Sequence, residues 1–337
     1  MNRRSRPLTI FCSLLFVGTI AMQLVSCNPD QDGASPGALR VGMMPKLIGI
    51  DFFNAVERGA NEAAAELGID LTYNGPTVAD VTKQAEMLDT WITRRLDVIA
   101  VAPNDRDAIA PTLKKARKAG ITVLSWDADA AADARDYFVN QATYQSIGHT
   151  LVDIMAAQIG DKGKVVIISG TATAVNQKVW VGHMRERIAA KHPGIEIVKI
   201  EYPGEDSDRS YTVAQDLLKA YPDLDGIFGI TSVSLPSAAK AVRDAKKSGK
   251  IAVTGLSTPK QMRQYVDDGT VKEFALFSPV DLGYLTVHVA KLARAGALPA
   301  KINAGRLGEL VVDDAQKMVI MGAPLRFTKE NIGNFDF

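Results

Sequence analysis

The sequence predicts an α/β fold of two doubly wound lobes, each a parallel sheet with helices on both faces. Three observations carry this. Short runs rich in Val and Ile, such as DVIAVAP, KVVIISG and IAVTGLS, are each followed by a longer stretch of helical period. Strands that alternate with helices pair in parallel, and such sheets are covered on both faces. The chain has 337 residues and more of these strands than one open sheet holds comfortably, so two lobes are expected.

The first strand begins at Val41. The helix after it places Phe53, Val56, Ala60, Ala64 and Leu67 at spacings of three and four, which makes one apolar face. Gly68 then offers a left-handed stop. The strand IDLTY, a helix from about Asp80 to Arg95 and the strand DVIAVAP follow. NDRDAIAPTLKKARKAG reads as a capped helix with Asn104 and Asp105 as its caps, and ITVLSW as the next strand. After Asn140 the alternation resumes with the strands KVVIISG, IEIVKIEYP, GIFGIT, IAVTGLS and KEFALFSP. Helices are expected near Tyr144–Gln158, Asn176–Lys191, Arg209–Ala220, Pro236–Lys247 and Asp281–Ala295.

The amino terminus reads as an export signal. MNRRSRPLTIFCSLLFVGTIAMQLVSC has an arginine-rich start, an apolar run too short and interrupted for a membrane span, and a small-residue exit. Leu24-Val25-Ser26-Cys27 matches a bacterial lipobox, in which Cys27 is lipidated and becomes the first mature residue. Residues 1–26 are thus expected to be a lipoprotein signal peptide. Residues 27–37, polar and rich in Pro and Gly, are expected to be a flexible tether to the membrane. Cys12 falls inside the signal, so no disulfide framework is available to the exported chain.

Several function classes find no support. Basic and acidic side chains nearly cancel, 39 against 38, which is not the charge of a nucleic-acid surface. No G-x-G-x-x-G follows the first strand and no phosphate-cradling G-x-x-x-x-G-K-[ST] occurs, so no nucleotide cofactor is expected. The four histidines, His149, His183, His192 and His288, are scattered singly and lack metal-ligand spacing. GLSTP around Ser257 lacks the second glycine of a nucleophile elbow. Binding is the expected work, not catalysis.

In parallel sheets the residues just after each strand line one cleft. They are Lys46, Asp51, Phe52 and Phe53 after the first strand, Asn104 and Asp105 after DVIAVAP, where capping is the better reading, Asp127 and Asp129 after ITVLSW, and Asn176 and Gln177 after KVVIISG. Thr231, Ser232 and Ser234 follow GIFGI, Ser257 and Thr258 follow IAVTGL, and Ser278 and Asp281 follow EFALF. This mix of carboxylates, amides, hydroxyls and one ammonium beside aromatic rings suits a neutral sugar. Sugar hydroxyls donate and accept together, and the C–H faces of the ring pack on aromatics. Lys46 alone reads equally well as a solvated lysine, and Phe53 as a core residue of its helix.

Seven segments carry a resemblance to a known family: PKLIGIDFF, LTYNGPT, VLSWDAD, VNQKVW, KAYPDLD, STPKQMRQYVDDGTVKEFALF and VDLGY. On them the chain resembles the type I periplasmic solute-binding proteins of ABC sugar importers, and is most similar to the rhamnose-binding and autoinducer-2-binding branch. The resemblance implies two lobes joined by three crossover strands, closing over one small ligand. It implies an N-terminal lobe of residues 38–139 plus about 257–280 and a C-terminal lobe of 140–256 plus about 281–320, with 321–337 as a tail packing on both. In the autoinducer-2 receptors the pocket has a lysine, an aspartate, an Asp-Gln pair, and a proline and alanine on a later loop. The lysine falls on Lys46 and the aspartate on Asp127. The pair falls on Asn176-Gln177, and the later loop on Ile230 and Ser232, so three positions depart from that pattern. The implied ligand is rhamnose or a related deoxyhexose, with autoinducer-2 or another pentose or hexose as the alternative. The implied contacts are Lys46, Phe52, Phe53, Asp127, Asp129, Asn176, Gln177, Ile230 and Ser232. The implied partners are the sugar and an ABC importer permease, for a monomeric, membrane-anchored receptor.

Overall fold

The computed structural model describes Met1 and residues 37–337. Apart from Met1, the expected signal peptide lies outside the described residues, as do Cys27 and all but the last residue of the expected tether.

The first lobe opens with β1 (Arg40–Met44), α1 (Asp51–Leu67), β2 (Asp70–Tyr73), α2 (Val81–Thr93), β3 (Val98–Val101), α3 (Ala110–Lys118), β4 (Thr122–Trp126) and β5 (Tyr137–Asn140). The strands β1, β2, β3, β4 and β5 pair in parallel. β3 and β5 are buried at every position, as strands covered on both faces must be. Gly68 ends α1 in the left-handed conformation, φ 66°, with its N–H on the Ala64 carbonyl. Asp80 caps α2 by accepting from the N–H groups of Thr82 and Lys83.

The second lobe runs through α4 (Tyr144–Ile159), β6 (Lys162–Ile168), α5 (Val175–Lys191), β7 (Gly194–Glu201), α6 (Ser207–Ala220), β8 (Gly226–Gly229), α7 (Ser234–Asp244) and β9 (Ala252–Gly255). Its sheet has the order β7-β6-β8-β9, all parallel. Then come α8 (Pro259–Asp267), β10 (Glu273–Leu276), α9 (Pro279–Ala295), β11 (Lys301–Asn303), β12 (Glu309–Asp313), β13 (Met318–Ile320) and β14 (Leu325–Thr328). The helix α8 was not among the expected ones. Its nine residues are too few to show a clear period, although Thr258 caps it and Pro259 opens it.

The last third of the chain corrects the expected lobe assignment. Residues 257–280 belong with the second lobe: a parallel bridge sets Ala275 of β10 beside Leu256 at the end of β9. Residues 281–320 belong with the first: β13 pairs in parallel with β5, and β12 and β11 extend that sheet antiparallel. α9 lies along α1, and two glycines permit the approach. A Cβ on Gly59 would sit 1.8 Å from the Val280 carbonyl oxygen, and one on Gly283 would sit 2.0 Å from that of Val56. Periodicity shows that a segment is strand or helix, but the partner is chosen by such distant contacts. β14 pairs antiparallel with β10. Around it Phe327 stacks on Phe274 at 5.0 Å and meets Phe335 edge-on at 4.8 Å. Among the described residues the chain therefore passes between the two lobes three times: after β5, after β10 and after β13.

Candidate functional site

The carboxyl ends of both parallel sheets face one cleft, and the loops that leave them build its walls. The β1–α1 loop carries Lys46, which is only 5% exposed. Two amide side chains hold this loop. Asn104 Nδ2 donates to the Lys46 carbonyl at 2.8 Å, and Gln84 Nε2 donates to the Pro45 carbonyl at 3.1 Å and the Ala102 carbonyl at 2.9 Å. Gln84 Oε1 in turn accepts the Asn104 N–H at 2.9 Å. Asn104 is thus a loop anchor and not the expected helix cap. Asp105 accepts from the N–H groups of Asp107 and Ala108, closing a turn ahead of α3.

Lys46 Nζ lies 2.9 Å from Asp127 Oδ2 and 3.2 Å from Asn176 Oδ1. The lysine is therefore not solvated: its charge is paired inside the protein. Asp127 follows β4 in the left-handed region at φ 60°, where an Asp is tolerated because its short polar side chain bonds locally. Gln141 Nε2 donates to the Asp127 carbonyl at 3.2 Å, and Asn176 Nδ2 reaches its carboxylate at 3.4 Å. Backbone strain of this kind gathers where a side chain must be aimed at a site.

Asn176 and Gln177 open α5 from the other lobe. Neither is its N-cap, which is Ala174. Gln177 Oε1 accepts the Ser169 hydroxyl and the Gly170 N–H, both at 2.8 Å. That leaves its NH2 to donate, and it donates to Glu205 Oε1 at 3.2 Å. The Lys46–Asn176 contact spans the two lobes, as does the Thr173 hydroxyl on the Asn104 carbonyl at 3.3 Å.

Aromatic and aliphatic side chains line the same pocket. Phe52 and Phe53 meet edge-on at 5.1 Å, Phe52 meets Phe277 at 5.7 Å, and Phe53 meets Trp126 at 5.8 Å. Both phenyl rings line the pocket, so Phe53 serves the core of α1 and the cleft at once. Ile50, Trp180, Ile230, Leu256 and Leu276 complete the apolar lining, and Thr231 and Ser232 add hydroxyls. The pocket encloses about 420 Å³ of empty space, counting the part open to solvent.

The pocket brings together Lys46, Phe52, Phe53, Asp127, Asn176, Gln177, Ile230 and Ser232. Asp129 is not among its lining residues and is a correction. Its carboxylate takes Arg135 Nη2 at 2.8 Å and the Ser125 hydroxyl at 2.6 Å. The tight turn in which the Ala128 N–H meets the Trp126 carbonyl sends Asp127 and Asp129 to different partners. Sequence reasoning missed Glu205, Trp180 and Phe277. Glu205 stands just past β7, at a strand end like the others. Burial pushes its carboxyl above the ordinary glutamate range, against the lowering influence of Lys46 and of the Gln177 and Thr231 hydrogen bonds. Trp180 lies one helical turn beyond Asn176, a spacing that puts both on one face of α5.

Comparison with known proteins places this geometry in a group. The periplasmic binding protein domain family matches residues 41–297. A sugar ABC transporter from Actinomyces odontolyticus superposes with a TM-score of 0.72 at 38% identity, over 88% of this chain and 97% of that one. An ABC transporter solute binding protein from Clostridium phytofermentas with bound L-rhamnose superposes with a TM-score of 0.84 at 26% identity, over 89% and 99% of the two chains. A D-ribose/D-allose-binding protein of Pseudomonas aeruginosa is 26% identical over 250 residues, 70% of this chain and 76% of that protein. Two parallel-sheet lobes, a cleft at their carboxyl ends and a family match over more than half of the sequence agree: the chain belongs to the periplasmic binding protein family.

Proposed function

We propose that this chain is an exported, lipid-anchored receptor that captures a small neutral sugar between its lobes and delivers it to an ABC importer. Rhamnose or a related deoxyhexose is the favoured ligand. The observation that carries this reading is the meeting of the Lys46–Asp127–Asn176 cluster and the Phe52–Phe53 rings in the lining of one cavity. The cluster offers an ammonium, a carboxylate and an amide, which bond hydroxyls as donors and acceptors together. The rings cover a sugar face, and Ile230, Leu256 and Leu276 suit a methyl group better than a hydroxymethyl group. The structure bound to L-rhamnose supports the choice, while other relatives name ribose and allose.

Capture draws on contacts available only when the lobes meet. Asn176 and Gln177 come from one lobe and Lys46 and Asp127 from the other, so a ligand touching both favours the closed state by the affinity it gains there. The closed surface is then what the permease reads.

The second reading is an autoinducer-2 receptor. Lys46, Asp127 and Gln177 match that pattern and lie in the pocket, but Asn176 replaces an acid, and Ile230 and Ser232 reshape the later loop. Calorimetry of the protein against rhamnose, fucose, ribose, other pentoses and autoinducer-2 tests both readings. No heat from rhamnose with tight binding of autoinducer-2 overturns the first choice.

A further inference from the structure

The reading above uses Lys46, Asp127, Asn176 and Gln177 and leaves one ionisable side chain of the pocket without a task. Glu205 enters from the loop after β7, half-buried, with its carboxyl among the lining groups. The loop is fitted to it. A Cβ on Gly170 would stand 2.3 Å from Glu205 Oε1, so the carboxyl lies close against the Gly170 backbone. Gln177 is polarised toward it, because Gln177 Oε1 is already taken by Ser169 and Gly170. Lys46 favours the carboxylate, but its ammonium bonds Asp127 Oδ2 and Asn176 Oδ1, and burial outweighs its influence on Glu205. The pocket thus sets two carboxylates against one ammonium.

Glu205 also lines a second, outer groove of about 1160 Å³, open to solvent. The charged groups there are Asp51 at the start of α1, Asp208 on α6 and Lys240 on α7, with the phenols of Tyr211 and Tyr265. Lys240 is paired with Asp244 and lies 4.3 Å over the Tyr211 ring. The cation there is engaged with Asp244, not with Glu205. Glu205 thus borders both the solvent-open groove and the inner pocket.

We propose that Glu205 makes sugar capture proton-linked: the closed complex holds Glu205 as the carboxylic acid, its O–H donating to a ligand oxygen, with the proton drawn from solvent through the outer groove. The proposal rests on the sugar reading. A neutral sugar brings no cation to balance a second carboxylate, and closure removes the water that would solvate it. Gln177 continues to donate to the carbonyl oxygen of the acid. Burial holds the Glu205 carboxyl high even without ligand, and the Asp127 charge adds to this.

The test is calorimetry of the full chain with L-rhamnose across mildly acid to mildly alkaline pH, in buffers of different protonation enthalpy. Proton uptake on binding is expected, with affinity falling about tenfold per pH unit above the pKa of free Glu205. Glu205→Gln, an isostere that keeps an N–H donor, is expected to bind with pH-independent affinity and no uptake. Flat wild-type affinity without uptake, or the same pH slope in wild type and Glu205→Gln, overturns the proposal. A second measurement separates its failure from that of the sugar reading. A group whose pKa is raised on folding adds stability at low pH that is lost as pH rises through the folded value. Ligand-free wild type is therefore expected to lose thermal stability with rising pH in that window, and Glu205→Gln is not. Equal slopes overturn the proposal whatever rhamnose does, and unequal slopes without rhamnose binding overturn the sugar alone.

Discussion

The Lys46 ammonium and the Asp127 carboxylate meet at 2.9 Å, each side chain less than a tenth exposed, on loops that leave two different strands of one sheet. Asp127 gives this pair its direction: it holds φ 60°, and Gln141 ties its carbonyl at 3.2 Å. Replacing Asp127 with Ala removes the partner of a buried ammonium and puts an alanine in a conformation that costs about 1 kcal/mol. Asp127→Ala is therefore expected to lose about 3–5 kcal/mol of stability along with sugar binding. Asp127→Asn keeps the shape and the left-handed backbone and loses only the charge. It is expected to fold cooperatively and to bind more weakly by about 2 kcal/mol, the worth of one hydrogen bond to a charged group. Denaturant melts with parallel calorimetry check both, and unchanged affinity in Asp127→Asn sinks the proposed contact.

The partner substitution has its own signature. Lys46→Met keeps the apolar stem and leaves Asp127 buried without a cation, with Glu205 nearby in the same pocket. Loss of about 3–5 kcal/mol in urea unfolding is expected. The double variant Lys46→Met, Asp127→Asn removes both charges, so it is expected to be more stable than Lys46→Met alone. A double variant that simply adds the two single losses would show that the pair is not coupled.

Much of this site was legible in the sequence because parallel sheets send their loops to one end. Lys46, Asp127, Asn176 and Gln177 each follow a strand, and each reaches the pocket. The same rule applied to the strand ending at Glu201 finds Glu205. What strand ends do not reveal is which way a carboxylate turns. Asp127 and Asp129 are two residues apart, yet one meets Lys46 and the other Arg135. Asn104 has the right place for a cap but bonds the Lys46 carbonyl, a contact made across the sheet. The lobe membership of residues 257–320 is not legible for a related reason. Parallel β13–β5 pairing and the α1–α9 approach are set by partners far away in the chain, and local period carries no record of them.

The α1–α9 contact yields a stability prediction. Gly283→Ala drives a Cβ to 2.0 Å from the Val56 carbonyl oxygen, which is backbone and cannot swing aside. The helices must separate, and a loss of about 1–3 kcal/mol is expected, as for other overpacked cores. Gly182 on α5 is the control, with nothing within 4 Å of its added Cβ. Gly182→Ala is expected to raise stability by about 1 kcal/mol through helix propensity. Chemical denaturation of the two single variants decides, and a neutral Gly283→Ala removes the close-approach argument.

Asn176 separates the two ligand readings. Its Oδ1 accepts from Lys46 at 3.2 Å while its Nδ2 reaches Asp127 Oδ2 at 3.4 Å, so both ends of the amide are used. Asn176→Asp restores the acid of the autoinducer-2 pattern but replaces a donor with an acceptor. A carboxylate would then face Asp127, with Glu205 as a third acid around one ammonium. At neutral pH the ligand-free variant is expected to be less stable than wild type by about 1–3 kcal/mol, the cost of a polar group left without its partner. Rhamnose affinity is expected to fall about tenfold or more, and to recover as pH is lowered and the added acid takes a proton. Thermal melts and calorimetry at two pH values measure both effects. Rhamnose binding that survives unchanged at neutral pH would mean that Asn176 does not read the sugar, and a gain of autoinducer-2 binding would move the chain toward the second reading.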